Sequence, residues 1–257
     1  MKTIKNSYLV KKRNILNQIR NVDMTLQEYR FFCIYLSKIN PYDLSTRAVR
    51  FSISDFKAIM GIGRVNLDHM KKTTDSLLSK VLSAPDYDGQ GRLIGYTSFQ
   101  LFKRCKARIE AEEPYIEIDA HDEALPFMFD YKNKYFSYPI ENILRVKSLN
   151  QVRMYELLRQ YQNIGSVVYS VENLQERLGI GKDEYGGRFN NFRKWVLDSC
   201  REALEKHTDI KYTYEPHGKR GRGGKILELK FTVSKNPGFK DPLSLEKFIK
   251  MQGGEAC

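Results

Sequence analysis

A fourteen-residue stretch of this chain occurs twice, which restricts the fold to architectures that use one unit two times. Phe51 to Arg64 reads FSISDFKAIMGIGR, and Tyr169 to Lys182 reads YSVENLQERLGIGK. Four positions are identical, and most of the others exchange like for like, such as Phe for Tyr, Ile for Val and Arg for Lys. In each copy an aromatic-Ser-aliphatic start of β type leads into a helix, with caps expected at Ser54-Asp55 and Glu172-Asn173. The helix stops at a Gly-Ile-Gly corner, where glycine adopts positive φ without steric cost. An amphipathic helix precedes each copy (Leu26 to Ile39 and Leu149 to Tyr161), and a long basic helix follows each. A repeat of roughly a hundred residues is too long for a solenoid unit, whose period is about 20 to 50.

The order inside each copy is helix, helix, tight glycine turn, helix, then two strands. That is a helix-turn-helix with a β-hairpin attached, in which the third helix can enter a DNA major groove. The chain therefore reads as an α+β protein of two tandem winged-helix domains related by internal duplication. At one constant offset, Met70-Lys71-Lys72 falls on Phe192-Arg193-Lys194, Asn66 on Arg188 and His69 on Asn191. Leu67, Met70, Thr74, Leu77 and Val81 make one apolar stripe, and Phe189, Phe192, Val196, Cys200 and Ala203 make the other. The polar residues between them are expected to point outward at equivalent places.

Charge supports a polyanionic partner: the net formal charge is +12 and the isoelectric point about 9.4. The first twenty residues carry six basic side chains and no acid, and residues 216–225 carry four and no acid. Residues 110–130 do the reverse, with eight acids and no Lys or Arg. A membrane-surface protein would gather its basic residues on one amphipathic helix opposite exposed apolar side chains. Here they are spread over helices and a glycine-rich loop, which fits double-stranded DNA better than a membrane.

At roughly 100 to 200 residues per domain, 257 residues make two domains. No apolar run approaches the 18 or so residues of a membrane span, and the N-terminal segment lacks a secretory h-region. The four cysteines, Cys33, Cys105, Cys200 and Cys257, show no zinc spacing, and the expectation is a reduced, cytoplasmic protein. The first domain is expected over residues 1–130, the second over 131–235, and a mobile tail with a short helix over 236–257. Residues 1–20 read as a basic helix with Ile15, Leu16 and Ile19 inward, and 65–82 as the third helix. Turn chemistry at Pro85 to Gly89 precedes strands at 93–102 and 109–119. The second copy starts at Phe136-Ser137-Tyr138, and its strands at 211–215 and 226–233 flank a basic loop.

No catalytic constellation, metal site or cofactor motif emerges, so the chain reads as a binding protein and not an enzyme. The four histidines, His69, His121, His207 and His217, are isolated, which excludes the paired-His metal site of a rolling-circle nuclease. Gly218 to Lys225 fails the GxxxxGK[ST] pattern of a phosphate-binding loop. Asp119, Asp122 and Glu123 fit an acidic turn between domains better than a metal site.

Three sets of residues carry a family resemblance: Ser7-Tyr8-Leu9-Val10 with Leu26-Gln27-Glu28; Arg153 to Tyr161 (RMYELLRQY) followed by Tyr169 to Gly179; and Phe192-Arg193-Lys194-Trp195-Val196-Leu197 with Thr208-Asp209-Ile210. In this order the chain resembles, from about Asn6 to Val233, the replication initiators of iteron-containing bacterial plasmids (the Rep_3-type initiators). The resemblance implies a protein that binds directly repeated origin sites, helps melt adjacent AT-rich DNA, and recruits the host replication initiator and helicase. It also implies a homodimer that binds an inverted repeat and represses its own gene, with the first domain supporting dimerisation and the second much of the sequence readout. Two features depart from the family pattern, the glycine-rich second wing and Trp195, where a smaller or basic residue is expected. A plain winged-helix repressor is the alternative reading.

The expected DNA contacts follow from these positions. In the second domain they are Arg188, Asn191, Arg193 and Lys194, because N-terminal residues of a recognition helix meet base edges. Asn66, His69, Lys71 and Lys72 form the matching set in the first domain. Arg64 and Lys182 close the two glycine corners. Lys219, Arg220, Arg222 and Lys225 form a flexible wing assigned to phosphate. Two unlike recognition helices on one chain predict an asymmetric site, with residues 134–235 alone binding it more weakly.

Overall fold

The computed structural model describes residues 8–17, 24–63, 67–109, 111–129, 135–181, 183–218, 220–240 and 242–253. The chain divides into two compact units, residues 1–140 with 243–257, and residues 141–242.

The first unit opens with β1 (Leu9–Arg13) and a single 3-10 turn (Asn14–Asn17), not the expected basic helix. Alternation decides this: Val10 and Lys12 face inward, and β1 pairs antiparallel along residues 135–139. Lys12 is buried, its ammonium donating to the Tyr29 hydroxyl at 2.8 Å and lying 4.8 and 5.7 Å from the Tyr29 and Phe32 ring centroids. Leu16 is buried as expected, while Ile19 and the Ile15 side chain fall outside the described residues.

Helix α1 (Leu26–Lys38) begins in a capping box, with the Glu28 amide donating to the Thr25 hydroxyl at 3.2 Å and the Thr25 amide to Glu28 Oε2 at 2.8 Å. Its buried face centres on Phe31, whose ring lies 5.0, 5.4 and 6.2 Å from those of Phe51, Phe56 and Phe102. Then come β2 (Ala48–Ser52), α2 (Ile53–Met60), α3 (Leu67–Leu78), β3 (Val81–Tyr87), β4 (Leu93–Gln100), β5 (Phe102–Arg108), β6 (Tyr115–Ala120), the short α4 (Leu125–Met128) and β7 (Tyr135–Pro139).

The second unit contains a short α5 (Glu141–Leu144), α6 (Leu149–Arg159), β8 (Ser166–Ser170), α7 (Val171–Leu178) and α8 (Phe189–Phe192). A π-helical turn (Arg193–Asp198), α9 (Ser199–His207), β9 (Ile210–His217) and β10 (Glu228–Lys235) complete it. The duplication is structural. Helices α2 and α7 are each eight residues long, and each ends at a left-handed glycine, Gly61 at φ 69° and Gly179 at φ 72°. Their caps are Ser52 and Ser170, which accept the Asp55 and Asn173 amides at 3.0 and 3.1 Å, two residues before the expected positions. Strand orders also match, β2-β6-β5 in one sheet and β8-β10-β9 in the other.

At Gly179 a second constraint adds to the dihedral one. Buried Arg153 of α6 donates to the Leu178 carbonyl at 2.6 Å, and a Cβ on Gly179 would collide with its Nη1. This contact ties the end of α7 to α6 and so aims the turn that leads to α8.

The first copy carries an insertion. Hairpin β3–β4 stands as its own two-stranded sheet between α3 and the wing strands β5 and β6 of the first unit. Pro85 lies inside β3, and the turn falls later, at Asp88 to Gly91, where the Asp88 carboxylate accepts the amides of Gln90 and Arg92 at 2.9 and 2.8 Å. The unit boundary lies after Ile140 and not at 130/131, because β7 completes a sheet with β1. The C-terminal segment, expected as a mobile tail, forms α10 (Leu245–Gly253), which packs on α2 of the first unit with Leu243, Leu245 and Phe248 buried. The Arg30 guanidinium carbon lies 5.6 Å from the Phe248 ring centroid.

Candidate nucleic-acid interface

In the second unit the recognition helix runs through α8, the π-helical turn and α9. Phe192, Val196, Leu197, Cys200 and Leu204 are buried, so Leu197 and Leu204 join the expected apolar stripe. The other side exposes Arg188, Asn190, Arg193, Lys194 and Trp195. A π-helical turn is rare and recurs at functional sites. Here it is tied to the wing strand: the Tyr212 hydroxyl donates to the Leu197 carbonyl at 2.7 Å, and the Tyr214 hydroxyl to the Asp198 carboxylate at 2.7 Å. Burial, together with neighbouring Cys200 and Tyr214, holds the Tyr212 phenol far above its ordinary range, so it stays a donor. These bonds fasten β9 to the recognition helix. The sequence signal for both tyrosines is the alternation of Ile210, Tyr212 and Tyr214 along the strand.

Asn191 departs from expectation. It is half-buried, and its amide nitrogen donates to the Tyr185 carbonyl at 2.9 Å. It thereby holds a turn in which Tyr185, Gly186 and Gly187 all take positive φ, at 56°, 67° and 62°. Its neighbour Asn190 exposes its side chain in the first helical turn, and nothing in the sequence distinguished the two.

The wing tip is more ordered than a free loop. The Gly221 amide donates to the Lys225 carbonyl at 2.8 Å and the Gly224 amide to the Gly221 carbonyl at 3.1 Å, with Gly223 and Gly224 at φ 71° and 78°. Arg220, Arg222 and Lys225 project from it, exposed. None of Arg188, Arg193, Lys194, Arg220, Arg222 and Lys225 forms an ion pair with a described carboxylate. Lys182 and Lys219 lie outside the described residues, as do Arg64 and Asn66.

The first unit presents a different face. His69, Lys71 and Lys72 are exposed on α3, but so are Asp68 and Asp75, and Lys71 is paired with Asp75 one turn on. The formal charge of that face, without the histidine, is zero. Leu67 and Val81 are not in the buried stripe: Leu67 is 64 % exposed, and Val81, 53 % exposed, starts β3 because the helix ends at Leu78. Met70, Thr74 and Leu77 are buried as expected.

The acidic run does not form a turn between domains. Its centre is wing strand β6, where Glu117 pairs with Arg50 at 2.8 Å and with Arg104 at 3.3 Å. Asp119 pairs with Arg47 at 2.8 Å, and Asp122 with Arg47 at 2.7 Å and Lys103 at 3.3 Å. The hydrogen bond from Arg47 holds the exposed Asp122 carboxylate below its ordinary range. The tip of this wing exposes Glu112 and Glu113, opposite in sign to the tip of the second wing.

No described helix is long and apolar enough to cross a membrane. No curated protein matches the chain. The family model described as initiator replication protein WH1 matches residues 9–159, and the one described as initiator Rep protein WH2 matches residues 170–233. Two tandem winged helices, the second bearing a basic recognition helix braced to a basic wing, are thus those of a DNA-binding protein, and the chain belongs to the plasmid replication initiator family.

Proposed function

We propose that this chain starts plasmid replication by binding directly repeated double-stranded sites at the origin. Bound there, it helps open adjacent AT-rich DNA and recruits the host initiator and helicase. The observation that carries the reading is the set of six exposed cations of the second unit, from Arg188 on the helix to Lys225 on the wing, none of them in an ion pair with a carboxylate among the described residues. Phosphate is the counter-charge such a surface accepts, with the release of condensed counterions as the driving term. Arg188, Arg193 and Lys194 sit where a recognition helix meets base edges, Asn190 beside them, and Asn191 serves by holding the turn. The near-neutral face of α3 makes the first unit the weaker contact, through His69, Lys71 and Lys72.

A homodimer that represses its own gene is the second part of the reading. Hairpin β3–β4 supports it, with Leu93, Ile94 and Tyr96 exposed by 66, 67 and 74 % on a two-stranded sheet that a second copy could cover.

A plasmid whose only origin is this gene with its flanking DNA tests the main reading. Stable maintenance in a bacterial host is expected and a frameshift in the gene should abolish it. A plasmid that is lost although the protein represses its own promoter would leave the chain a repressor.

A further inference from the structure

Trp195 is the only tryptophan of the chain and is 59 % exposed. It sits in the π-helical turn of the recognition helix, between buried Phe192 and Val196, and it follows the exposed cations Arg193 and Lys194. An indole on a surface this basic is costly to leave in water, since it displays a broad apolar area with a single polar N–H. The Lys194 ammonium lies 4.8 Å from the ring centroid, so one face is held by a cation, and the edge and opposite face remain to meet a partner.

We propose that Trp195 is a specificity-determining residue that packs against thymine 5-methyl groups in the major groove of the bound duplex. The inference rests on the DNA-binding reading above and goes beyond it by naming a base. The charge near the indole selects the partner: Lys194 lies against its ring, and Arg188 and Arg193 are exposed earlier on the same helix, which suits a groove lined by phosphates and disfavours a basic or neutral protein surface. Trp195 is the seventh residue of a helix that begins at Phe189, about 9 Å from its start, within the first two turns that a major groove admits. In that groove thymine alone offers an apolar group, and aromatic and aliphatic side chains read it by contact. Insertion between base steps is the habit of wedges in the minor groove, whereas a recognition helix of this kind docks in the major groove.

The test uses the full chain and the duplex it enriches from a random pool, synthesised once with thymine and once with deoxyuridine, which lacks only the methyl. The wild type is expected to bind the deoxyuridine duplex about four-fold more weakly for each methyl it contacts. Trp195→Ala should lose that much on the thymine duplex and bind both duplexes alike. The fluorescence of the lone tryptophan should shift to the blue on the thymine duplex as water leaves the ring. Equal wild-type binding to the two duplexes, or a Trp195→Ala variant that still prefers thymine, overturns the proposal while the DNA-binding reading stands. Failure to enrich any duplex overturns both.

Discussion

Two buried polar side chains aim the recognition helices, one in each unit. In the first, Glu28 closes the capping box of α1 and also accepts the Ser76 hydroxyl of α3 at 2.7 Å and the Lys80 ammonium at 3.3 Å. One carboxylate thus joins the start of α1 to the end of the recognition helix. In the second unit Arg153 does related work at the end of α7. Burial pushes the Glu28 pKa up, but the Thr25 amide, the Ser76 hydroxyl and Lys80 together outweigh it and hold the group below its ordinary 4.5. A lowered folded pKa contributes stability that is present above 4.5 and is lost as the pH falls through the folded value. Glu28→Gln should therefore destabilise the first unit near neutral pH by about 1 to 3 kcal/mol. The gap to wild type should narrow below about pH 4, as thermal melts across pH would record. A gap that is constant down to pH 3 would show that the charge of Glu28 contributes nothing.

Among the elements, those built from local chemistry were legible in the sequence. The Gly-Ile-Gly corners need positive φ whatever surrounds them, so Gly61 and Gly179 could be read directly. The Lys71–Asp75 pair is equally legible from its i,i+4 spacing, and it makes α3 less basic than its counterpart. Elements that depend on distant partners were not legible. β1 becomes a strand only because Val10 pairs with Tyr138, and a run of cations gives no hint of that. Hairpin β3–β4 was hidden because four strands in succession resemble two longer ones when their partners are unknown. The π-helical turn has no local signature at all, and the bonds that hold it come from β9. At this scale the wing gives a direct prediction. Replacing Lys219, Arg220, Arg222 and Lys225 by serine should lower the slope of log K against log salt by up to about 4 units, because each phosphate contact releases nearly one counterion. An unchanged slope in a salt titration would make the wing a bystander.

For the whole molecule, the first unit is discontinuous in sequence. Its last helix, α10, reaches α2 only after the chain has built the entire second unit. Residues 243–253 bury Leu243, Leu245 and Phe248, each worth about 1.5 to 3 kcal/mol when removed from water. After the entropy of ordering the helix is subtracted, their deletion should weaken the first unit by about 3 kcal/mol. Hydrogen exchange should accelerate in α1 and α2 while β8, β9 and β10 keep their protection. Equal acceleration in both units would contradict the division after Ile140 and Pro242. The two units also present unlike faces, a near-neutral α3 with an acidic wing tip and a basic recognition helix with a basic wing. A protein so built is expected to read DNA asymmetrically, because linking a weak contact to a strong one raises affinity through effective concentration. The measurement that tests this most directly is a hydroxyl-radical footprint of the full chain and of residues 141–242 on the duplex selected by the full chain. The account predicts about 20 protected base pairs without two-fold symmetry for the full chain, and about half that length at far weaker affinity for residues 141–242. A full-chain footprint confined to one groove, or strict palindromy in the site of the monomer, would contradict it.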